Sequence, residues 1–242
     1  MTRSRRIAEI HWDERPAWND RNRTVRVWRL LAFPCSCLAA VALLASGCAG
    51  GPSHREQHFI LETARPGDAA RPVSDGSLQV HRFSVDAAFA GENLVYRLGE
   101  SKYETDYYRR FLISPGTMIT EKTRAWLTDS GLFPTVLPVG SRVVPAYTLE
   151  GNVTALYGDF AGESAPAAVM EIRFFLVKNA AGAESVLFSR TYRAASAVPS
   201  QATNDFIDAM DRSLAEILTR LEADLPQAMA AKTEATGNPT GR

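Results

Sequence analysis

The chain is poor in reactive side chains: its 242 residues include three cysteines and four histidines, and no cysteine follows Cys48. Cys35 and Cys37 lie in the apolar stretch before it, so a mature chain starting at Cys48 has no second cysteine for a disulfide. Only His54, His58 and His81 follow Cys48. No zinc-ligand spacing, nucleophile elbow or glycine-rich phosphate loop accompanies them. The sequence therefore offers no catalytic residue, no metal ligand set and no cofactor motif, and the expectation is a protein that is not an enzyme. A charge excess is missing too. The formal charge is zero, but residues 1–47 carry eight Arg against four acidic residues, which leaves the remainder at −4. A mildly acidic body has no electrostatic footprint for nucleic acid and none for polybasic attachment to anionic lipid.

A long apolar run is also absent. The apolar stretch at residues 30–46 is interrupted by Pro34. It falls short of the ~20 residues a spanning helix needs and suits a signal h-region preceded by Arg23, Arg26 and Arg29. The stretch ends in Leu44, Ala45, Ser46 and Gly47, followed by Cys48. Small residues directly before a cysteine resemble a bacterial lipobox, so residues 44–47 are the expected signal-peptidase recognition site and Cys48 the expected lipidation site. Each buried methylene adds about 0.8 kcal/mol of membrane affinity, and two or more chains anchor stably. Residues 1–47 are then leader and signal. The Arg-rich stretch 1–24 is long for such a signal, and a start near Val25 would remove it. Residues 48–57 form a lipidated tether reaching ~30 Å at about 3.3 Å per residue. The absence of Asp after Cys48 favours the periplasmic face of the outer membrane over the inner membrane.

From residue 58 to 226 the pattern is that of one α+β domain. Strands are expected near 58–62, 78–85 and 94–98, with a proline- and glycine-bearing loop at 64–76. Tyr103, Tyr107 and Phe111 recur every four residues, which predicts a short helix through Leu112. Ser114 and Pro115 open a second helix that Gly131 closes at 115–130. Residues 132–145 read as an edge strand and bend. Tyr147, Leu149, Gly151, Val153, Ala155 and Tyr157 alternate with polar residues and share one expected face. With strands near 169–178 and 186–192 they predict an antiparallel meander. Phe206, Met210, Leu214, Ile217, Leu221 and Leu225 form one helical stripe over 201–225 that Pro226 ends. The expected fold is a largely antiparallel sheet packed by two main helices, with a disordered tail over 227–242.

The composition of Tyr103, Tyr107, Tyr108, Arg109 and Arg110 is that of a protein interface, making these residues the candidate partner surface. Trp126 reads as core, and Tyr157, Gly158 and Asp159 read as turn chemistry.

Several of these segments together resemble the ABC-type transport auxiliary lipoprotein family. The similarity lies in residues 103–112 (Tyr-Glu-Thr-Asp-Tyr-Tyr-Arg-Arg-Phe-Leu) leading into Ser114 and Pro115, and in Trp126 to Phe133 closing the first long helix. It continues through Tyr147, Leu149, Gly151 and Val153 to Tyr157, Gly158 and Asp159, and spans roughly residues 58–225. That resemblance implies a periplasmic, lipid-anchored accessory to an ABC transport system for lipid or other hydrophobic solutes, with an MCE-type periplasmic protein as its partner. Some members assemble into rings, which implies self-association. Two rival expectations are an outer-membrane lipoprotein that supports assembly of a β-barrel and a small-ligand-binding lipoprotein.

Overall fold

The structure, a computed structural model, describes residues 55–162, 165–180 and 183–236. Leu44, Ala45, Ser46, Gly47 and Cys48 lie outside the described residues, as do 237–242 of the expected tail.

Among the described residues, nine strands form one mixed sheet and two helices pack against it. In chain order the strands are β1 (Gln57–Phe59), β2 (Leu78–Val80), β3 (Ser84–Val85), β4 (Asn93–Arg97) and β5 (Tyr103–Phe111). They continue as β6 (Val136–Leu137), β7 (Tyr147–Asp159), β8 (Ala167–Ala180) and β9 (Ala183–Ala197). The helices are α1 (Pro115–Ser130) and α2 (Thr203–Thr236). The long ladders, β7 with β8 and β8 with β9, are antiparallel and form the expected meander. Along its other edge β7 is met in succession by β2, β3 and β4, all parallel to it. The sheet is thus antiparallel in its long ladders and parallel in most of its short ones.

Local chemistry explains the helix ends. Pro115 opens α1, where a missing N–H costs nothing. The Ser114 hydroxyl meets Thr117 Oγ1 at 2.9 Å and caps no backbone group. Gly131 closes the helix at φ 68°, with its N–H donating to the Thr128 carbonyl at 3.3 Å. Helix α2 does not stop at Pro226 and continues to Thr236, so residues 227–236 are helical where a disordered tail was expected. Proline forfeits one helical hydrogen bond. Leu225 and Met229, both buried, hold the apolar stripe on either side of it, and tertiary burial overrides the local penalty.

The core lies between the sheet and the helices. Met118, Ile119, Trp126 and Leu127 of α1 and the stripe of α2 pack on Leu149, Ile172, Phe174 and Tyr192. Gly151 is required here because the Phe83 ring lies across it, where an added Cβ would come within 2.8 Å of ring carbons. A bulge splits the expected single face of β7: the register shifts between Val153 and Ala155. Leu149 and Val153 face the helices, and so does Leu156. Ala155 and Tyr157 instead join Val95 and Val169 in a second, small cluster on the opposite face. No helix among the described residues is long and apolar enough to cross a membrane.

Candidate functional site

The expected partner residues do not lie on a helix. Residues Tyr103–Phe111 form strand β5, and the four-residue recurrence that predicted a helix comes from a break in the strand. Asn93 pairs with Arg110, but Val95 pairs with Thr105, so five steps along β5 face two along β4. The surplus is pinned by one carboxylate. Asp106 Oδ1 accepts the backbone N–H of Tyr108 at 2.9 Å and of Arg109 at 3.0 Å. Arg109 Nη1 reaches Asp106 Oδ2 at 3.3 Å, and Asn93 Nδ2 donates to the Asp106 carbonyl at 2.6 Å.

Bulges re-aim side chains, and this one lifts Tyr107 into solvent with 75% of its surface exposed. Its ring stands edge-on to that of Tyr108, with centroids 5.1 Å apart. Arg110 is turned to β1, where Nη2 pairs with Glu56 at 2.5 Å and Nε donates to His58 Nε2 at 3.2 Å. The structure thus brings Tyr107, Tyr108 and Arg109 together on the Asp106 bulge, and Arg110 serves the β1 junction.

Tyr103 belongs to a different group. It packs with Phe89 and Tyr157 on the face away from the helices, at centroid separations of 6.3 and 5.6 Å, while Phe89 stacks on Tyr157 at 5.8 Å. Charged residues frame these rings. Arg97 lies over the Tyr157 ring and forms a two-pronged pair with Asp159, one prong at 3.0 Å. Arg193 Nη2 donates to the Tyr157 hydroxyl at 3.0 Å and Nη1 reaches Glu171 at 3.3 Å. Asp159 also accepts the Ala161 N–H at 3.2 Å. It therefore combines the expected turn chemistry with an ion pair that the sequence did not reveal. Phe89, Arg97 and Arg193 were missed because only the paired strands bring them beside Tyr157.

Among the described residues, three carboxyl groups titrate below their ordinary range. Hydrogen bonds from Arg97 hold Asp159 down, those from Arg65 hold Glu222 down, and the Tyr192 hydroxyl followed by Arg190 does so for Asp224. Burial, reinforced by Asp224, pushes Tyr192 upward. A carboxyl whose pKa is lower folded than unfolded stabilises the fold above the unfolded value, about 4, and that contribution disappears as pH falls through the folded value. The urea midpoint is therefore expected to stay level between pH 7 and 5 and to fall below about pH 4. A midpoint that rises on acidification would contradict these pairings. Among the described residues no group of His, Cys, Asp and Glu is arranged to hold a metal.

The described residues form one compact α+β unit with helices on one face of a mixed sheet and tyrosines and arginines displayed elsewhere. The chain belongs to the ABC-type transport auxiliary lipoprotein component family, whose model matches residues 59–222. In structure it is similar to protein XCC0632 from Xanthomonas campestris, at TM-score 0.65 and 19% identity, covering 74% of this chain and 99% of that one. A crystal structure of an uncharacterized protein is similar at TM-score 0.52 and 16% identity, covering 68% of this chain and 99% of its own. At these identities the likeness shows the fold alone. No curated protein matches the chain.

Proposed function

We propose that this protein is a non-catalytic, lipid-anchored accessory of an MCE-type ABC transport system for lipid or hydrophobic solute. Cleavage after Leu44, Ala45, Ser46 and Gly47 and lipid on Cys48 would fix the body at the periplasmic face of the outer membrane. The Tyr107, Tyr108 and Arg109 bulge would then hold the MCE-type periplasmic partner. Family membership across residues 59–222 carries the reading. The bulge supports it because exposed, rigidly held tyrosines beside arginine are typical interface anchors.

The test is capture of partners from native membranes by the lipidated protein. An MCE-type protein, a permease and an ATPase are expected together, and recovery of a β-barrel instead would overturn the reading. Tyr107→Ala is expected to cut capture by about tenfold or more without changing thermal stability. Cys48→Ser is expected to leave the fold intact and to move the protein into the soluble periplasmic fraction. An unchanged membrane fraction would show that lipid is not the only anchor.

A further inference from the structure

Strand β9 runs 15 residues, from Ala183 to Ala197, and pairs only with β8. Among the described residues no strand lies along its outer edge. The Val198 N–H donates to the Pro166 carbonyl at 2.8 Å, one step past the ladder. Alternate residues of an antiparallel strand bond to the same neighbour, so positions 190, 192 and 194 face β8. The backbone N–H and C=O groups of Ser189, Thr191, Arg193, Ala195 and Ala197 point away from the sheet. Helix α2 covers two of these carbonyls. Arg220 Nη1 donates to that of Arg193 at 3.0 Å, and Arg212 Nη2 to that of Ala197 at 2.8 Å. Among the described residues no side chain does the same for Ser189 or Thr191, and both are exposed.

At this uncovered stretch a groove of about 460 Å³ runs between strand and helix. Its walls are the consecutive strand residues Leu187 to Arg190 and, on α2, Asp224, Gln227 and Ala228. Successive strand side chains point to opposite faces, so a groove touched by four in a row opens on the edge itself. Leu187 and Phe188 are half-buried and pack on the core, which gives the groove an apolar floor. Two arginines stand beside it on opposite faces of the sheet. Arg190 pairs with Asp224 of α2, and Arg193 with Glu171 and the Tyr157 hydroxyl. The arginine side chains are 54 and 49% exposed, against 24 and 28% for the two carboxylates, so the edge presents positive charge to solvent.

We infer that the free edge of β9 at Ser189 and Thr191 docks an extended, acidic segment of another protein as an added strand. One apolar side chain of that segment enters the groove, and its carboxylates meet Arg190 and Arg193. The backbone selects the occupant: outward N–H and C=O groups at strand spacing are satisfied by strand addition. Charge selects between a different protein and a second copy of this chain. The ladder with β8 shifts register at Leu187, since Val186 pairs with Val177 and Phe188 with Leu176. A two-fold ladder of β9 with itself would run through that bulge or, centred on Arg190, set Arg190 against its own copy. Centred further along, it would displace Arg220 from the Arg193 carbonyl. An acidic strand meets none of these obstacles. Strands β9 and β5 lie on opposite sides of β7, so this inference does not rest on the partner held by the Tyr107 bulge.

The probe is a synthetic peptide of alternating valine and threonine with a glutamate at each end, added to the purified protein. At saturation, hydrogen exchange of the Ser189 and Thr191 amides is expected to slow by about tenfold or more. The same peptide N-methylated on alternate residues keeps its side chains, loses its donors and is expected to give no protection. Lysine in place of both glutamates is expected to weaken binding by about threefold or more. Thr191→Pro removes an outward N–H and leaves the β8 ladder in place; it is expected to abolish binding. Ala228→Glu, which puts a carboxylate in the groove without touching the strand, is expected to weaken binding while melting with wild type. Unchanged exchange at both amides, equal protection by the N-methylated peptide, or undiminished protection in Ala228→Glu would overturn the inference. So would tighter binding of the lysine peptide. Protection that appears without peptide and rises with protein concentration would assign the edge to a second copy and overturn it too. Tyr107→Ala is expected to bind the peptide as wild type does, so a failure of MCE-protein capture leaves this result standing.

Discussion

Phe174→Ala is expected to destabilise the domain by about 3–5 kcal/mol. The ring is fully buried at the centre of β8, with its centroid 5.6 Å from that of Phe83 and 6.0 Å from that of Tyr192. Truncation would remove the transfer energy of the ring and leave a cavity between the sheet and both helices. Phe83 cannot readily fill it, because its ring is already seated across Gly151. A domain of this size has only about 5–15 kcal/mol of stability to lose. Urea unfolding should show a much lower midpoint at an unchanged slope. Phe174→Leu should cost less than half as much because most of the volume is kept. A loss under about 1 kcal/mol for the alanine variant would mean that the core is looser than this packing implies.

Glu222→Ala is the second large effect. The Glu222 carboxylate accepts Arg65 Nε at 2.9 Å, Arg65 Nη2 at 2.8 Å and Trp126 Nε1 at 2.8 Å. Arg65 in turn donates to the carbonyls of Gly67 and Asp68 at 3.0 and 2.8 Å. One side chain thus ties the 64–76 loop, α1 and α2 together. Removing it leaves Nε and Nη2 of the largely buried Arg65 guanidinium, and the Trp126 indole N–H, without their acceptor. Losing one partner of a buried pair costs about 3–5 kcal/mol; residual solvent contact brings the expectation to about 2–4 kcal/mol. Glu222→Gln keeps an acceptor for the indole and should cost less. In a double-mutant cycle with Arg65→Ala, the two losses should fall short of additivity by more than about 1 kcal/mol. Simple additivity would show that the pair contributes nothing as a pair.

The parts legible in the sequence were those with a strong period or strong punctuation. The stripe from Phe206 to Leu225 marked α2, Pro115 and Gly131 bracketed α1, and alternation marked the meander. Trp126 is core as read, although its acceptor, Glu222, is 96 positions away and no local pattern could supply it. Errors arose where one residue broke a period. The β7 bulge moved Ala155 and Tyr157 to the opposite face, and the Asp106 bulge made a strand mimic helical spacing at Tyr103, Tyr107 and Phe111. The C-terminal stop failed for a related reason: Pro226 is a strong local signal, but the burial of Met229 is not written locally. In the candidate surface, the composition of residues 103–110 marked the segment. The division between the bulge and the Phe89, Tyr103 and Tyr157 group depends on pairing with β4 and β7.

The succession of β2, β3 and β4 along one edge of β7 has a consequence for biogenesis. The chain is synthesised amino terminus first, yet β2 and β3 find their backbone partners only in β6 and β7. Residues 78–85 must therefore go without their ladder until residue 153 has arrived, whereas β4 and β5 can pair with each other as soon as both are made. Such delayed, non-local closure makes for slow maturation, with β2 and β3 left as open edges until β7 has been made.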